Sequence, residues 1–335
     1  MPKTLIIGPN FHYFVHSIEQ AFSALGYETK ALIFDVPIHP FTLFNKVCYQ
    51  LSTDRKSLEE TSRKQNKKDI ECAYHEFSPD IVYIVNGEIL EPETVRMFKQ
   101  KSKVVLWMFD SITRIDRLKA LVKDVDYIFC YDSSDIEWCH TQGVEAHFLP
   151  QACDETIYHP LHLKKDIDIL FVGELYYSKK RQKYIKTVID AFPNKKILIF
   201  GKYKPWYKGF FSWLFREKRN IYKNHDLHNE EVNKYYNRAK VVLNIHHEQQ
   251  TNGANPKVFE ICGSGAYQVC DSNPYIKSLF PSGEIGLYKN EKELVKHILY
   301  ALEHDMTQES HTAHQLIYTN HTFTNRIKEM LSLIK

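Results

Sequence analysis

The sequence has no apolar run long enough to cross a membrane. Its first residues, MPKTLIIGPN, hold an apolar stretch too short for a secretory leader, and a Gly-Pro-Asn turn stands where a small-residue cleavage site would be needed. The expectation is a cytoplasmic protein. No CxxC pair occurs among the seven cysteines. An odd, scattered set excludes a disulfide framework and a thiolate zinc site, and points to reduced, mostly buried thiols. Excess charge is also missing: the net charge is +3, with acidic and basic residues mixed along the chain, so nothing argues for a nucleic-acid partner. There is no internal repeat and no low-complexity tract. The early glycine segment GPNFHYF lacks GxGxxG spacing, so no nicotinamide dinucleotide site is read there.

What the chain does have is alternation. At 335 residues it is long for one core, so two domains are expected. Leu5–Gly8, Lys30–Phe34, Ile81–Val85, Val104–Met108, Tyr127–Tyr131 and Ala146–Leu149 read as strands. Amphipathic stretches separate them, including long helical material over 42–76. Runs such as VYIV and VVLW are apolar throughout, as strands covered on both faces require. The segment LPQACDETIYHPLHLKKD, residues 149–166, breaks the pattern with two prolines and a charged tail, and reads as a connector. Alternation then resumes, with strands at Ile169–Val172, Ile197–Phe200, Val241–Ile245 and Tyr267–Cys270, and helices over 291–304, 307–318 and 323–334. This β/α alternation predicts two Rossmann-like, doubly wound parallel sheets, whose ligands sit beyond the carboxyl ends of the strands.

The most informative stretch is residues 252–271, NGANPKVFEICGSGAYQVCD. Asn255 and Pro256 suit a helix start. Gly263 and Gly265 suit its end, and Ala266–Asp271 suits a buried strand. A helix N-terminus carrying Lys257 and Glu260 fits a sugar nucleotide. The lysine and the helix end favour diphosphate, and the carboxylate can accept hydrogen bonds from a ribose diol. The plain alternative is a surface helix capped by glycine.

The two halves, the connector and this segment together resemble GT-B glycosyltransferases. Pro150, Asp154, Tyr158 and Pro160 match the P-x-x-x-D-x-x-x-(aromatic)-x-P linker of the group 1, family 4 type. NPKVFEICGSGAY is similar to the N-x-R-x-F-E helix of the CgeB-like, spore-maturation-type branch, with Lys257 in place of arginine. DIVYIVNGEIL, KVVLWMFDS and DYIFCYDSSDIEW follow in the order of that branch. Many group 1 enzymes carry two glutamates eight apart; here the earlier position is Asn252. The resemblance implies two α/β domains facing a central cleft. Residues 1–155 would take the acceptor, 156–320 the nucleotide sugar, and a helix at 321–335 would cross back to the first domain. It also implies a metal-independent transfer in cell-surface polysaccharide biosynthesis. The donor would be a nucleotide diphosphate sugar, a UDP-sugar first, with no other cofactor, and the acceptor a glycan, a lipid-linked sugar or a protein. The alternatives are a sugar-nucleotide epimerase of the same fold and a non-catalytic nucleotide- or glycan-binding protein.

Candidate groups fall at strand ends. On the donor side, Gly173 ends a strand, and Lys179, Lys180 and Arg181 open the next helix. Basic residues there oppose the helix dipole, which favours a phosphate anchor over a solvated helix end. Gly201 would let a backbone approach the base, and His246 would lie on a substrate-contacting loop. No acidic residue stands at metal-ligand spacing from His246 and His247. Asp124-Val125-Asp126 spells DxD but precedes a buried strand, and reads as a turn. On the acceptor side the groups are Asp110, His12 and Glu88. Asp110 ranks first as a base because it tips a hydrophobic strand beside Trp107 and Phe109. A helix cap is its alternative role, and also that of Glu88. The stretch 202–219 interleaves basic residues with Trp206, Tyr207, Phe210, Phe211, Trp213 and Phe215. It reads either as a peripheral contact with the inner face of the cell membrane or a partner, or as a packed insertion.

Overall fold

A computed structural model of the chain describes residues 1–10, 13–35, 37–40, 42–114, 116–202, 221–223, 225–248 and 250–334. His12 and, apart from Lys202, the aromatic stretch 202–219 lie outside the described residues. The chain divides into two units, one of Met1–Pro150 with Phe323–Lys335 and one of Gln151–Thr322.

The first unit is built on β1 (Lys3–Pro9), β2 (Glu28–Phe34), β3 (Ile81–Val85), β4 (Lys103–Met108), β5 (Tyr127–Cys130) and β6 (His147–Phe148). All pairs are parallel, in the order β2-β1-β3-β4-β5-β6. The chain reverses direction across the sheet between β1 and β3, which is where a doubly wound sheet opens a crevice. β3 is buried along its whole length, as its all-apolar sequence requires. The intervening helices are α1 (Phe14–Ala24), α2 (Leu43–Leu51), α3 (Arg55–Phe77), α4 (Pro92–Phe98), α5 (Asp116–Leu121) and α6 (Ser133–Thr141).

The second unit carries β7 (Ile167–Val172), β8 (Ile197–Phe200), β9 (Ala239–Asn244), β10 (Gln268–Asp271) and β11 (Gly286–Tyr288), parallel, in the order β11-β10-β9-β7-β8. Its crevice position lies between β7 and β9. Its helices are α7 (Lys179–Ala191), α8 (Asn229–Arg238), α9 (Pro256–Gly263), α10 (Pro274–Leu279), α11 (Glu291–Glu303) and α12 (Thr307–Asn320). Alternate strand residues feed two cores. Leu170, Val242 and Cys270 pack with Val258 and Phe259 of α9, and with Ile317 of α12. Ile169, Phe171, Val241 and Val269 pack with Ile185 of α7 and Ile298 of α11 on the opposite face. That period of two is why these strands read as continuous apolar runs.

The last helix, α13 (Phe323–Leu333), belongs to the first unit. Its buried stripe is Phe323, Arg326, Ile327 and Met330. Phe323 sits 6.2 Å from the Phe14 ring of α1 and 6.1 Å from Trp107 of β4, centroid to centroid. Arg326, buried, donates from Nε to the Pro150 carbonyl at 2.9 Å. Residues 151–155, assigned from sequence to the first domain, pack in the second. There the Cys153 N–H donates to His321 O at 2.9 Å and a parallel bridge joins Cys153 to Thr322. A backbone pairing, invisible in composition, moves that boundary. The short α5, α10 and β11 were not expected, because fewer than seven residues carry too little periodicity to separate from loop.

Candidate functional site

In the second unit the crevice position gathers the ends of β7, β9 and β10 with the starts of α7 and α9. Asn255 caps α9, its Oδ1 accepting from Val258 N at 3.2 Å. The cap is itself locked. Asn244 and Asn255 exchange side-chain amide bonds at 3.0 and 2.8 Å, and Asn244 Nδ2 also donates to Gln268 Oε1 at 2.9 Å. All three amides are buried, so this network is satisfied only in one arrangement.

His246 joins the same network. Asn255 N–H donates to its Nε2 at 3.3 Å, so Nδ1 carries the ring proton and donates it to Asp271 Oδ1 at 2.7 Å. The backbone N–H of His246 donates to the same oxygen at 2.8 Å, and Lys180 Nζ donates to Asp271 Oδ2 at 2.6 Å. Burial alone would push the Asp271 carboxyl up. The His246 and Lys180 contacts outweigh it and hold the group well below the usual carboxylate range. The structure therefore brings Lys180, His246 and Asn255 into one hydrogen-bonded chain, with Asp271 as its centre.

Arg181 is half-buried beside this chain, and burial lowers its affinity for the proton, with Asp271 and Glu248 opposing that shift. Its Nε donates to Ile245 O at 2.8 Å and its Nη1 to Glu174 O at 3.0 Å. These carbonyls belong to the loops after β9 and β7, so the guanidinium spans the crevice position. Nη2 has no hydrogen-bond partner among the described residues. The start of α7 already has an anion of its own. Glu248 accepts from Ser178 Oγ at 2.9 Å and from Lys180 N at 2.9 Å. Gly173 and Gly201 are close neighbours. Gly201 has φ +116°, and a Cβ on it would lie 2.2 Å from the Gly173 carbonyl oxygen. The close approach of the two strand ends thus requires glycine at 201.

Lys257 and Glu260 form a separate pair on α9, with Lys257 Nζ 3.6 Å from Glu260 Oε2. Glu260 is buried, and Oε2 makes no hydrogen bond among the described residues. Burial raises its carboxyl pKa, while Lys257 and Tyr158 oppose the rise. The open donors of the first α9 turn are fewer than at an ordinary helix start. Pro256 has no N–H, and the Val258 N–H is taken by the Asn255 cap, which leaves that of Lys257.

His246, Cys270 and Asp271 offer donor atoms within 4.8 Å of one another. Asp271, absent at ligand spacing in sequence, is supplied by the fold. The set is nevertheless committed elsewhere. Both His246 nitrogens are hydrogen-bonded, an ammonium sits on Asp271, and burial pushes the Cys270 thiol well up, against the thiolate a metal needs.

In the first unit, Asn86 (φ 60°) and Gly87 (φ 80°) turn the chain after β3. Glu88 follows, half-buried, lining a small cavity with Gly8 and Asn86. Asn86 Oδ1 accepts from Phe109 N at 2.8 Å, which ties the end of β3 to that of β4 and holds Glu88 and Asp110 on adjacent strand ends. Asp110 is half-buried. Trp107 is fully buried, its indole N–H donating to Leu149 O at 2.9 Å. Glu88 does not occupy the N-cap of α4; that position is Glu91. Asp124 and Asp126 pair with Arg96 at 3.1 Å and Lys99 at 3.0 Å at the amino end of β5, away from the carboxyl edge.

Sequence reasoning missed Asp271, Asn244, Gln268 and Asp135. The first three are polar residues inside or ending buried strands, a signal that was available in VVLN and QVCD. Asp135 accepts from Ser111 Oγ at 2.7 Å, and its buried Oδ2 has no partner among the described residues. Burial raises its pKa, with the Ser111 bond opposing.

Comparison with known proteins follows the same outline. The family described as "Glycosyl transferase-like" matches residues 180–332. No curated protein matches the sequence significantly. Among solved structures, a sucrose-phosphate synthase from Thermosynechococcus elongatus superposes with a TM-score of 0.70 at 11% identity, covering 99% of this chain and 98% of that one. An Anabaena protein, HepE, in complex with UDP and glucose, gives a TM-score of 0.67 at 12% identity, covering 100% of both chains. The lipopolysaccharide outer core galactosyltransferase WaaB gives 0.62 at 16% identity, covering 99% of this chain and 100% of that one. The chain has the GT-B fold, two parallel Rossmann-like α/β units, and its residues 180–332 carry a glycosyl transferase-like family match.

Proposed function

We propose that this protein is a glycosyltransferase that takes a nucleotide diphosphate sugar on the carboxyl edge of its second unit. It passes the sugar, without a metal ion, to a glycan, lipid-linked or protein acceptor in the cytoplasm or at the inner face of the cell membrane. The observation that carries this reading is the buried Glu260, whose Oε2 lacks a hydrogen-bond partner among the described residues while Lys257 stands 3.6 Å away. Such a carboxylate is completed by a ligand hydroxyl that donates to it, as a ribose diol does. The Anabaena structure with UDP and glucose supports a uridine diphosphate sugar as the donor class. Kinship with the CgeB-like branch rests on motif order.

The chemistry asked of the residues is electrostatic. As the bond from the anomeric carbon to the diphosphate breaks, negative charge grows on the leaving oxygen. Arg181 Nη2, the Lys257 ammonium and the Lys257 N–H are the donors available to meet it. Glu260, whose burial Lys257 partly offsets, orients the ribose. In the first unit, Asp110 or Glu88 accepts the proton of the attacking hydroxyl, with His12 as a further candidate.

Calorimetric titration with UDP and a panel of nucleotide sugars tests this. Wild-type protein is expected to bind at least one. Lys257→Ala and Glu260→Gln are expected to weaken binding by about 10- to 100-fold, the worth of a charge-assisted hydrogen bond. Slow release of nucleoside diphosphate supports transfer. An altered sugar would mean epimerisation, and binding without turnover a non-catalytic protein. Failure to bind any nucleotide removes the donor site altogether.

A further inference from the structure

The residues on either side of Asp110 are each tied to a buried polar side chain. The Phe109 N–H donates to Asn86 Oδ1 at 2.8 Å, and Ser111 Oγ donates to Asp135 Oδ1 at 2.7 Å. Asn86 is 6% exposed and Asp135 1%. Asp110, between these two anchors, is half-buried. The turn continues with Ser111 and Thr113 sharing a hydroxyl hydrogen bond at 2.9 Å and with Ile112 buried in the apolar core. The backbone N–H groups of Ile112 and Thr113 also favour the charged form of Asp135, against its burial and the neighbouring Asp132 carboxylate.

Among the described residues nothing else calls for a carboxylate at 135. Helix α6 has its own cap, Asp132, whose Oδ1 accepts from Ser134 N at 3.0 Å. No Lys, Arg or His pairs with Asp135 among the described residues, and its buried Oδ2 makes no hydrogen bond there. A buried carboxyl oxygen left unpaired is unfavourable, and an apolar side chain would suit the interior better. What the carboxylate holds is the turn that carries Asp110. A side chain on a turn moves with its backbone, so an anchor on each side fixes where the Asp110 oxygens stand.

We propose that Asp135 is a positioning residue, which with Asn86 clamps the backbone around Asp110 so that this carboxylate, rather than Glu88 or His12, takes the proton of the attacking hydroxyl. The inference rests on the sugar-transfer reading and adds to it the choice of base and what aims it. The test is UDP release from UDP-glucose, UDP-galactose or UDP-N-acetylglucosamine, whichever wild type turns over, with water as the acceptor. Asp135→Ala should lower kcat by about 10- to 100-fold, the effect of a misplaced catalytic group. Its affinity for UDP, read by calorimetry, should be unchanged, because the donor groups belong to the second unit. Asp135→Asn keeps an oxygen where Ser111 donates and should retain most of the rate. In the double variant Asp110→Asn/Asp135→Ala the rate should be no lower than in Asp110→Asn alone, since a positioning residue has nothing left to position. Should Asp135→Ala not fold, Ser111→Ala removes the same hydrogen bond from its half-buried end. It should give a smaller kcat loss that likewise vanishes in the Asp110→Asn background. Wild-type kcat in Asp135→Ala or in Asp110→Asn overturns the proposal. Losses that multiply in the double variant overturn it too, because Asp135 then acts without Asp110. Wild type that binds no UDP and releases none from these sugars overturns the sugar-transfer reading, and this role with it.

Discussion

Asp271→Asn isolates the residue on which the crevice of the second unit is centred. The carboxylate accepts from two donors of His246 on Oδ1 and from Lys180 on Oδ2. Asparagine is isosteric but has one oxygen. It can keep the His246 bonds or the Lys180 bond, and its amide then faces the donor it cannot serve. Removing one partner of a buried pair costs about 3–5 kcal/mol. The Lys180 side chain is 30% exposed and can return to water, which brings the expectation to about 2–3 kcal/mol. For a unit of this size that is a drop of roughly 5–10 °C in its melting transition at neutral pH. The pH dependence has a definite sign. The folded-state pKa of Asp271 is depressed, so its stabilisation is present above the unfolded value, about pH 4, and is lost as pH falls below that. The gap between wild type and Asp271→Asn should therefore be constant near neutrality and narrow below about pH 4. Thermal denaturation by circular dichroism from neutral pH into the acid range reads both. A variant within about 1 °C of wild type at neutral pH, or a gap that widens in acid, would refute the reasoning.

Two further perturbations test the fold that carries these residues. Gly201→Ala should cost at least about 3 kcal/mol, because its Cβ meets the Gly173 carbonyl and its φ is positive. Gly143→Ala has positive φ but nothing within 4 Å, and should cost only about 1 kcal/mol; equal losses in urea denaturation would contradict the close-approach argument. Arg326→Met removes the bond to Pro150 O and leaves that carbonyl unpaired, for about 1–3 kcal/mol. Hydrogen exchange should then quicken in α1 and α13 while α9 keeps its protection; unchanged exchange in α1 would show that α13 does not brace the first unit.

The two sheets were legible because their central strands are covered on both faces, and so carry runs of consecutive apolar residues rather than alternate ones. VYIV and VVLW appear as β3 and β4, and FVG and LNI mark the ends of β7 and β9. The start of α9 was legible too, since Asn255-Pro256 is a local capping signal. The centre of the candidate site was not. Asp271 lies 25 residues from His246, and no spacing rule joins the end of one parallel strand to the loop after its neighbour. The phosphate-anchor reading of Lys180 also omitted its competitors, Asp271 on the side chain and Glu248 on the backbone N–H. Those contacts are made across chain separations that a linear pattern does not encode.

By itself the sequence determined the periods: which of the longer segments are strands and which are helices, that there are two α/β halves, and where the capping signal of α9 stands. These follow from local sterics and from which faces must leave water. The tertiary structure alone decided the neighbours. It gave α13, which the family resemblance already assigned to the first unit, its partners there through Arg326 and Phe323. It set Asp271 between His246 and Lys180, buried Glu260 with an oxygen unpaired, and turned the apolar side of α2 outward. The physical reason is that hydrogen bonds and burial are properties of pairs and surroundings, and strand order brings together residues that the chain keeps far apart.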